Sequence, residues 1–217
     1  WHPSIKVADA GNILEGAMVS DTRAVLRTVL EEIRQAGKIA VVLGGSQDLT
    51  LQQYAVFERA GVTIEAAVID SLIDLKESEI ITDRSYLMDM LTRQPNFVRH
   101  FSQIGFQSYY VNPKVLETMD KLRFDCFRLG RIREDLEEME PVLRNCNMLS
   151  IDLNVLRHSE APFLPDASPN GLFGDEICQL TRYAGMSSCL SSLGIYGYHP
   201  EKDVNRQGAK LIAQMLW

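Results

Sequence analysis

Ile39-Ala40-Val41-Val42-Leu43-Gly44-Gly45-Ser46-Gln47-Asp48 is the stretch that decides the fold. A short β-branched run breaks at two glycines and passes through polar residues into a helical pattern over 49–60, which Gly61 closes. A buried strand that delivers a loop to the start of a helix is the repeating unit of parallel α/β sheets. The pattern returns where residues 66–69 lead into Asp70-Ser71-Leu72-Ile73-Asp74, and where Met148-Leu149 leads into Ser150-Ile151-Asp152-Leu153-Asn154. Residues 103–106, 123–128 and 193–198 also read as strands. Amphipathic segments separate these runs, and the alternation predicts one α/β domain over 1–217, a parallel sheet with helices on both faces.

Outward from the strands, residues 21–36 carry apolar positions at Val25, Leu26, Val29, Leu30 and Ile33, with Ser20 as the expected N-cap and Gly37 as the stop. A further helix is expected over 132–143, with an acidic run at Glu134, Asp135, Glu137 and Glu138 that reads as a solvated face. Residues 75–95 are polar, then amphipathic, and read as a lid or as a helix after a loop. Pro162, Pro165 and Pro169 make 158–171 an irregular loop. At the C-terminal end, Ala209, Leu211, Ile212, Met215 and Leu216 form an apolar stripe that packs by default on the core.

Composition narrows the function classes. The chain has 217 residues, 46% of them hydrophobic, enough for a full core. Its net charge of -7 and its lack of a Lys/Arg cluster argue against nucleic acid and anionic membranes as partners, because phosphate binding needs concentrated positive charge. Apolar runs far shorter than a bilayer span and the lack of a leader pattern point to a soluble cytoplasmic protein. The four cysteines have no CxxC spacing and read as reduced core thiols. A start at Trp1 instead of Met and an end at Trp217 on a helical pattern are compatible with a fragment that lacks both native ends.

The chemistry concentrates at the strand ends. Asp70, Asp74 and Asp152 are expected at neighbouring termini, with Gln47, Asp48 and Asn154 as further oxygen donors. Converging carboxylates must bind a cation, pair with a base or keep protons. An all-oxygen set suits Mg, Ca or Mn better than Zn. The plainer reading is that these residues cap helices and solvate loop backbone. A phosphate cradle at Gly44-Gly45-Ser46 is weakened by Asp48, which would repel the anion at that helix start, and by the lack of a following Lys. His2, His100, His158 and His199 accompany no GxSxG or Cys/His arrangement, so nucleophilic catalysis has little support.

The order of these segments resembles the ureohydrolase superfamily of arginase, agmatinase and formiminoglutamase, and most closely its formiminoglutamase-like branch. Ala8-Asp9-Ala10-Gly11-Asn12 resembles the family's Asp-Leu-Gly segment, and Gly44-Gly45-Ser46-Gln47-Asp48 its Gly-Gly-Asp-His motif. Asp70 to Asp74 is similar to Asp-Ala-His-x-Asp, and Ser150 to Asn154 to Ser-x-Asp-x-Asp. The Pro-rich loop, Gly171-Leu172 and Glu176 resemble the segment that faces the amidine or guanidine, and His199-Pro200 stands where members carry Asn-Pro.

The resemblance implies a three-layer arginase-like fold with about eight parallel strands, two Mn ions at the strand ends and a metal-activated hydroxide that attacks the amidine carbon. It also implies a homo-oligomer and a small guanidine or amidine ligand. The departures fall on the ligands: Gln47 and Leu72 stand where His is expected, and Asn154 replaces an Asp, while Asp70, Asp74 and Asp152 remain. The expectation is therefore a chain without the binuclear Mn pair, holding no metal or one divalent cation (Mn or Mg) on Gln47, Asp70, Asp74, Asp152 and Asn154. If the chain is active, Asp74 and Glu176 would carry the chemistry. Arg157 and Lys76 are the bases expected to neutralise the carboxylates if no metal does.

Overall fold

A computed structural model describes residues 6–217; His2 lies outside the described residues. Six strands, β1 (Ala40–Leu43), β2 (Ile64–Ile69), β3 (Val98–Phe106), β4 (Asp125–Arg128), β5 (Met148–Asp152) and β6 (Ser192–Tyr196), form one sheet in the order β1-β6-β5-β2-β3-β4. Every pairing is parallel. All six runs expected as strands are strands, with ends moved by turn geometry. Arg123 has positive φ, so β4 starts after it, and Gly197, at φ 80°, ends β6 before Tyr198. The described residues form six strands, not the eight or so implied by the resemblance.

The sheet reads like a covered parallel sheet because its central strands are buried on both faces, so their sequences are mainly apolar. β2, β5 and β6 are almost wholly buried, whereas the edge strands β1 and β4 keep exposed positions. Side chains alternate between two cores. Ala67, Ile69, Ile104, Leu149 and Ile151 face one that is closed by α5 (Leu129–Glu134), α6 (Met139–Arg144), α7 (Gly174–Gly185) and α8 (Gln207–Leu216). Ala66, Val68, Phe101 and Met148 face the other, closed by α2 (Thr50–Ala60), α3 (Tyr86–Thr92) and α4 (Pro113–Lys121). A smaller cluster holds α1 (Val19–Gln35) against Ala40 and Val56. Ile212 and Met215 bury in the first core, so the C-terminal stripe packs on the sheet.

Gly105 shows how one residue sets this pattern. The register of β3 against β4 shifts between Ile104 and Phe106, and Gly105 has φ 92°. The bulge turns Phe106 into the same core as Phe101, against the strict alternation that would send it to the other.

Two helices differ from expectation. α1 starts before Ser20, with Met18 as N-cap, because the Asp21 carboxylate accepts from the Met18 N–H at 3.1 Å. The single helix expected over 132–143 is broken into α5, a 3-10 turn Leu136–Glu138 and α6. Asp135 is extended (φ -152°) and its side chain accepts from Glu137 N, which caps a new start. Pro141 lies in the first turn of α6, where a missing N–H costs nothing, but within one continuous helix it would clash with the carbonyl a turn earlier. Residues 75–85 form a loop that leads into α3, and 158–171 holds neither helix nor strand. No helix among the described residues is long and apolar enough to cross a membrane.

Candidate functional site

From β2 the chain moves outward to β3 and β4, and from β5 it moves the other way to β6. Neighbouring strands whose connections depart in opposite directions leave a crevice at their C-terminal ends, where open α/β sheets bind ligands. Ile69 pairs in register with Ile151, so Asp70 and Asp152 are the next residues of adjacent strands at that crevice. Each aspartate first organises its own turn. Asp70 Oδ1 accepts from Leu72 N at 3.0 Å, and Asp152 Oδ1 accepts from Asn154 N at 2.9 Å. Asp152 also abuts Gly197, where an added Cβ would lie 2.9 Å from its Oδ1.

Gln47 reaches the crevice from β1. Gly44 and Gly45 take φ of 94° and 76°, a turn that side chains resist, and deliver the buried 3-10 turn Gln47–Leu49. With its amide nitrogen facing the carboxylates, Gln47 donates to Asp70 Oδ2 at 2.9 Å and Asp74 Oδ2 at 3.1 Å. Its oxygen then accepts from Ser150 Oγ at 3.2 Å. The opposite orientation aims the amide oxygen at two further acceptors, so hydrogen bonding chooses the first. Asp48 turns away from this cluster: it is buried against Arg23 of α1 and Ser46.

Burial dominates the electrostatics. Desolvation, followed by the neighbouring Asp74 charge, holds Asp70 well above the ordinary carboxylate range. Burial pushes Asp74 up to about 7, and desolvation with the charge of Asp70 pushes Asp152 to about 8. Tyr86 is fully buried near the same charges, its phenol is pushed up by desolvation, and its hydroxyl has no hydrogen-bond partner among the described residues.

The expected neutralising bases are not the ones found. Arg157 stacks its guanidinium 4.5 Å from the centre of the Phe173 ring, and Lys76 forms no ion pair with the three carboxylates. The base at the cluster is Arg84, whose Nη1 lies 3.8 Å from Asp74 Oδ1. Sequence reasoning missed it because the 75–85 loop has no periodicity that would place it. Ser71 was missed as well: Asn154 Oδ1 accepts from Ser71 N at 3.3 Å and from Ser71 Oγ at 2.9 Å, which commits the one oxygen Asn154 could offer a metal.

Asp74, Leu72, Asn154 and Arg84 line a cleft of about 1020 Å³, together with Met88 of α3 and Val115 of α4. Glu176 is not part of that lining. It accepts from Phe173 N at 2.7 Å, capping α7, and lies 3.5 Å from Arg133 Nε. His100 pairs with Asp125 at 2.9 Å and His199 with Glu201 at 3.2 Å, and His158 is exposed. Among the described residues no three His, Cys, Asp or Glu side chains form a metal-holding group. All four cysteines are free thiols, and burial pushes Cys126 and Cys146 up to about 12.

The family model described as arginase family matches residues 2–217. Formimidoylglutamase of Bacillus subtilis is 20% identical over 188 residues, 82% of this chain and 59% of that protein. The chain thus spans about three fifths of that relative's length. Formimidoylglutamase of Chromobacterium violaceum is 24% identical over 235 residues, 100% of this chain and 74% of that protein. Among solved structures, a Trypanosoma cruzi formiminoglutamase with Mn2+ superposes with TM-score 0.87 at 16% identity, over 96% of this chain and 72% of that one. Bacillus subtilis arginase gives 0.79 at 17%, over 98% and 85%. At these identities the structural likeness shows the fold.

Proposed function

Because the chain belongs to the arginase family, we propose that it keeps the family's sheet and cleft as a binding scaffold and has lost paired-metal hydrolysis. The supporting observation is the side-chain set at the crevice. Leu72 has no donor atom, and the only metal-binding oxygen of Asn154 is already accepting from Ser71. A second ion therefore finds no complete ligand set, and without it the clamp on a hydroxide nucleophile is lost. The cleft beside Asp74 is the proposed place for a small guanidine or amidine ligand, whose charge the carboxylate at the cleft wall would meet. Self-association is part of the proposal, and a solution mass equal to one chain would remove it.

The test is divalent metal per chain by mass spectrometry, after purification with Mn and then with Mg and with Asp74→Ala as control. It should be combined with product release from formiminoglutamate, agmatine and arginine. No bound ion and no product is the expected result. One ion per chain that disappears in Asp74→Ala, with turnover, would overturn the reading.

That outcome would favour a second reading, a hydrolase of linear amidines that uses a single divalent ion. Its support is the retained Asp70, Asp74 and Asp152, whose raised pKa values are typical of carboxylates gathered for a cation. In that reading Gln47 and Asn154 would add neutral oxygens, the ion would supply Lewis acidity, and Glu176 would leave its cap to hold the substrate.

A further inference from the structure

The carboxylates at the crevice are met by a row of donors that all point the same way. Thr50 of α2 and Ser150 of β5 are fully buried, and their hydroxyl oxygens lie 2.7 Å apart. With the Ser150 proton given to Gln47 Oε1, the Thr50 hydroxyl must donate to Ser150, because Ser150 has only one hydrogen. Two N–H groups of Gln47 then end the row on Asp70 and Asp74. Arg84 approaches the other oxygen of Asp74 from the cleft. Dipoles aligned in a dry interior polarise one another, and their positive end faces the carboxylates as a cation would.

We propose that this Thr50–Ser150–Gln47 row, closed by Arg84, is the chain's built-in replacement for a cation, and that it both pins α2 to the sheet and excludes divalent metal. The proposal rests on the metal-loss reading and adds its physical cause. A cation entering between Asp70 and Asp74 would meet the hydrogens of Gln47. To ligate, the amide must turn over and present its oxygen, and Ser150 and Thr50 must then reverse their protons together. Entry thus requires the whole row to reorganise, which distinguishes it from a simple change of ligand.

The stability arm needs no metal. Gln47→Met keeps the length of the side chain and removes the amide, so it should lower the unfolding temperature by about 5 °C, the size expected for one lost buried network in a chain of this length. Adding Ser150→Ala to that variant should cost less than Ser150→Ala alone costs the wild type, since the Ser150–Gln47 bond is already gone and only the Thr50–Ser150 bond is left to lose. A Gln47→Met protein as stable as the wild type, or losses that simply add, would overturn the proposal. If Gln47→Met does not fold, the wild type decides by NMR: the side-chain amide protons of Gln47 should exchange slowly, and fast exchange would remove the row.

The metal arm uses Gln47→Glu with Mn alone. A fourth carboxylate in place of the amide, beside Asp70, Asp74 and Asp152, should make the unfolding temperature rise on adding Mn, while the wild type does not respond. No response in the variant would overturn the exclusion. A wild type that is itself stabilised by Mn would instead refute metal loss, so the two failures are distinguishable.

Discussion

Gly197 limits what the crevice can hold. Its φ of 80° and the 2.9 Å between a built Cβ and Asp152 Oδ1 leave no room for a side chain. Gly197→Ala should destabilise by about 1–2 kcal/mol from the backbone alone, with more from displacing Asp152, as read by urea unfolding. An unchanged midpoint would mean that Asp152 yields without cost. The three aspartates also set a pH dependence. Their folded pKa values lie above the ordinary Asp value, about 7 for Asp74 and about 8 for Asp152, with Asp70 shifted in the same direction. The folded chain therefore binds more protons than the unfolded one between roughly pH 4 and pH 8. Metal-free protein should lose stability as pH rises through that window, and Asp152→Asn should flatten the slope. A wild-type profile that rises toward pH 8 would contradict these carboxyls' desolvation.

At the level of elements, the bulge in β3 joins backbone conformation to packing. Gly105 at φ 92° has its would-be Cβ 2.8 Å from Val155 Cγ2, and the same bulge sends Phe106 into its core. Gly105→Ala should cost about 1–2 kcal/mol of backbone strain and more from the Val155 clash. Thermal unfolding that matches the wild type would show that the bulge can relax. The break between α5 and α6 follows the opposite logic, since a polar residue, Asp135, supplies the cap that a continuous helix would not need. Apolar spacing alone concealed that break, because α5 and α6 bury residues into one core, Ile132 and Leu143 among them.

For the whole molecule, burial predicts where the sheet opens. β2, β5 and β6 lie in the middle with both faces covered, while β1 and β4 are edges. Val41 and Leu43 on β1 are 45% and 58% exposed. Amide hydrogen exchange should be slowest in β2 and β5 and much faster in β1. Protection of β1 equal to that of β5 would mean that its free edge is paired in solution. The six strands, the parallel class and the aspartates at the strand ends were legible because apolar runs and turn residues are local signals, written in consecutive positions. Gln47, Asp70, Asp74, Asp152 and Asn154 were legible as a group through the motifs they belong to, three of them retained and two altered. Their partners were not. Arg84, Ser71, Ser150 and Thr50 lie up to 103 residues from the groups they bind, and no spacing in a single sequence encodes which donor will face which acceptor. The sequence by itself determined the layers and the place of the crevice, since apolar runs and turn residues follow from the side chains at hand, while the reading of Gln47, Leu72 and Asn154 as departures came from the resemblance to the family's motifs. Only the tertiary structure decided that Asn154 is spent on Ser71, that Arg84 and not Arg157 or Lys76 approaches Asp74, and that Gln47 bridges two carboxylates, because hydrogen bonds and ion pairs form only where the packed chain brings distant side chains within about 3 to 4 Å.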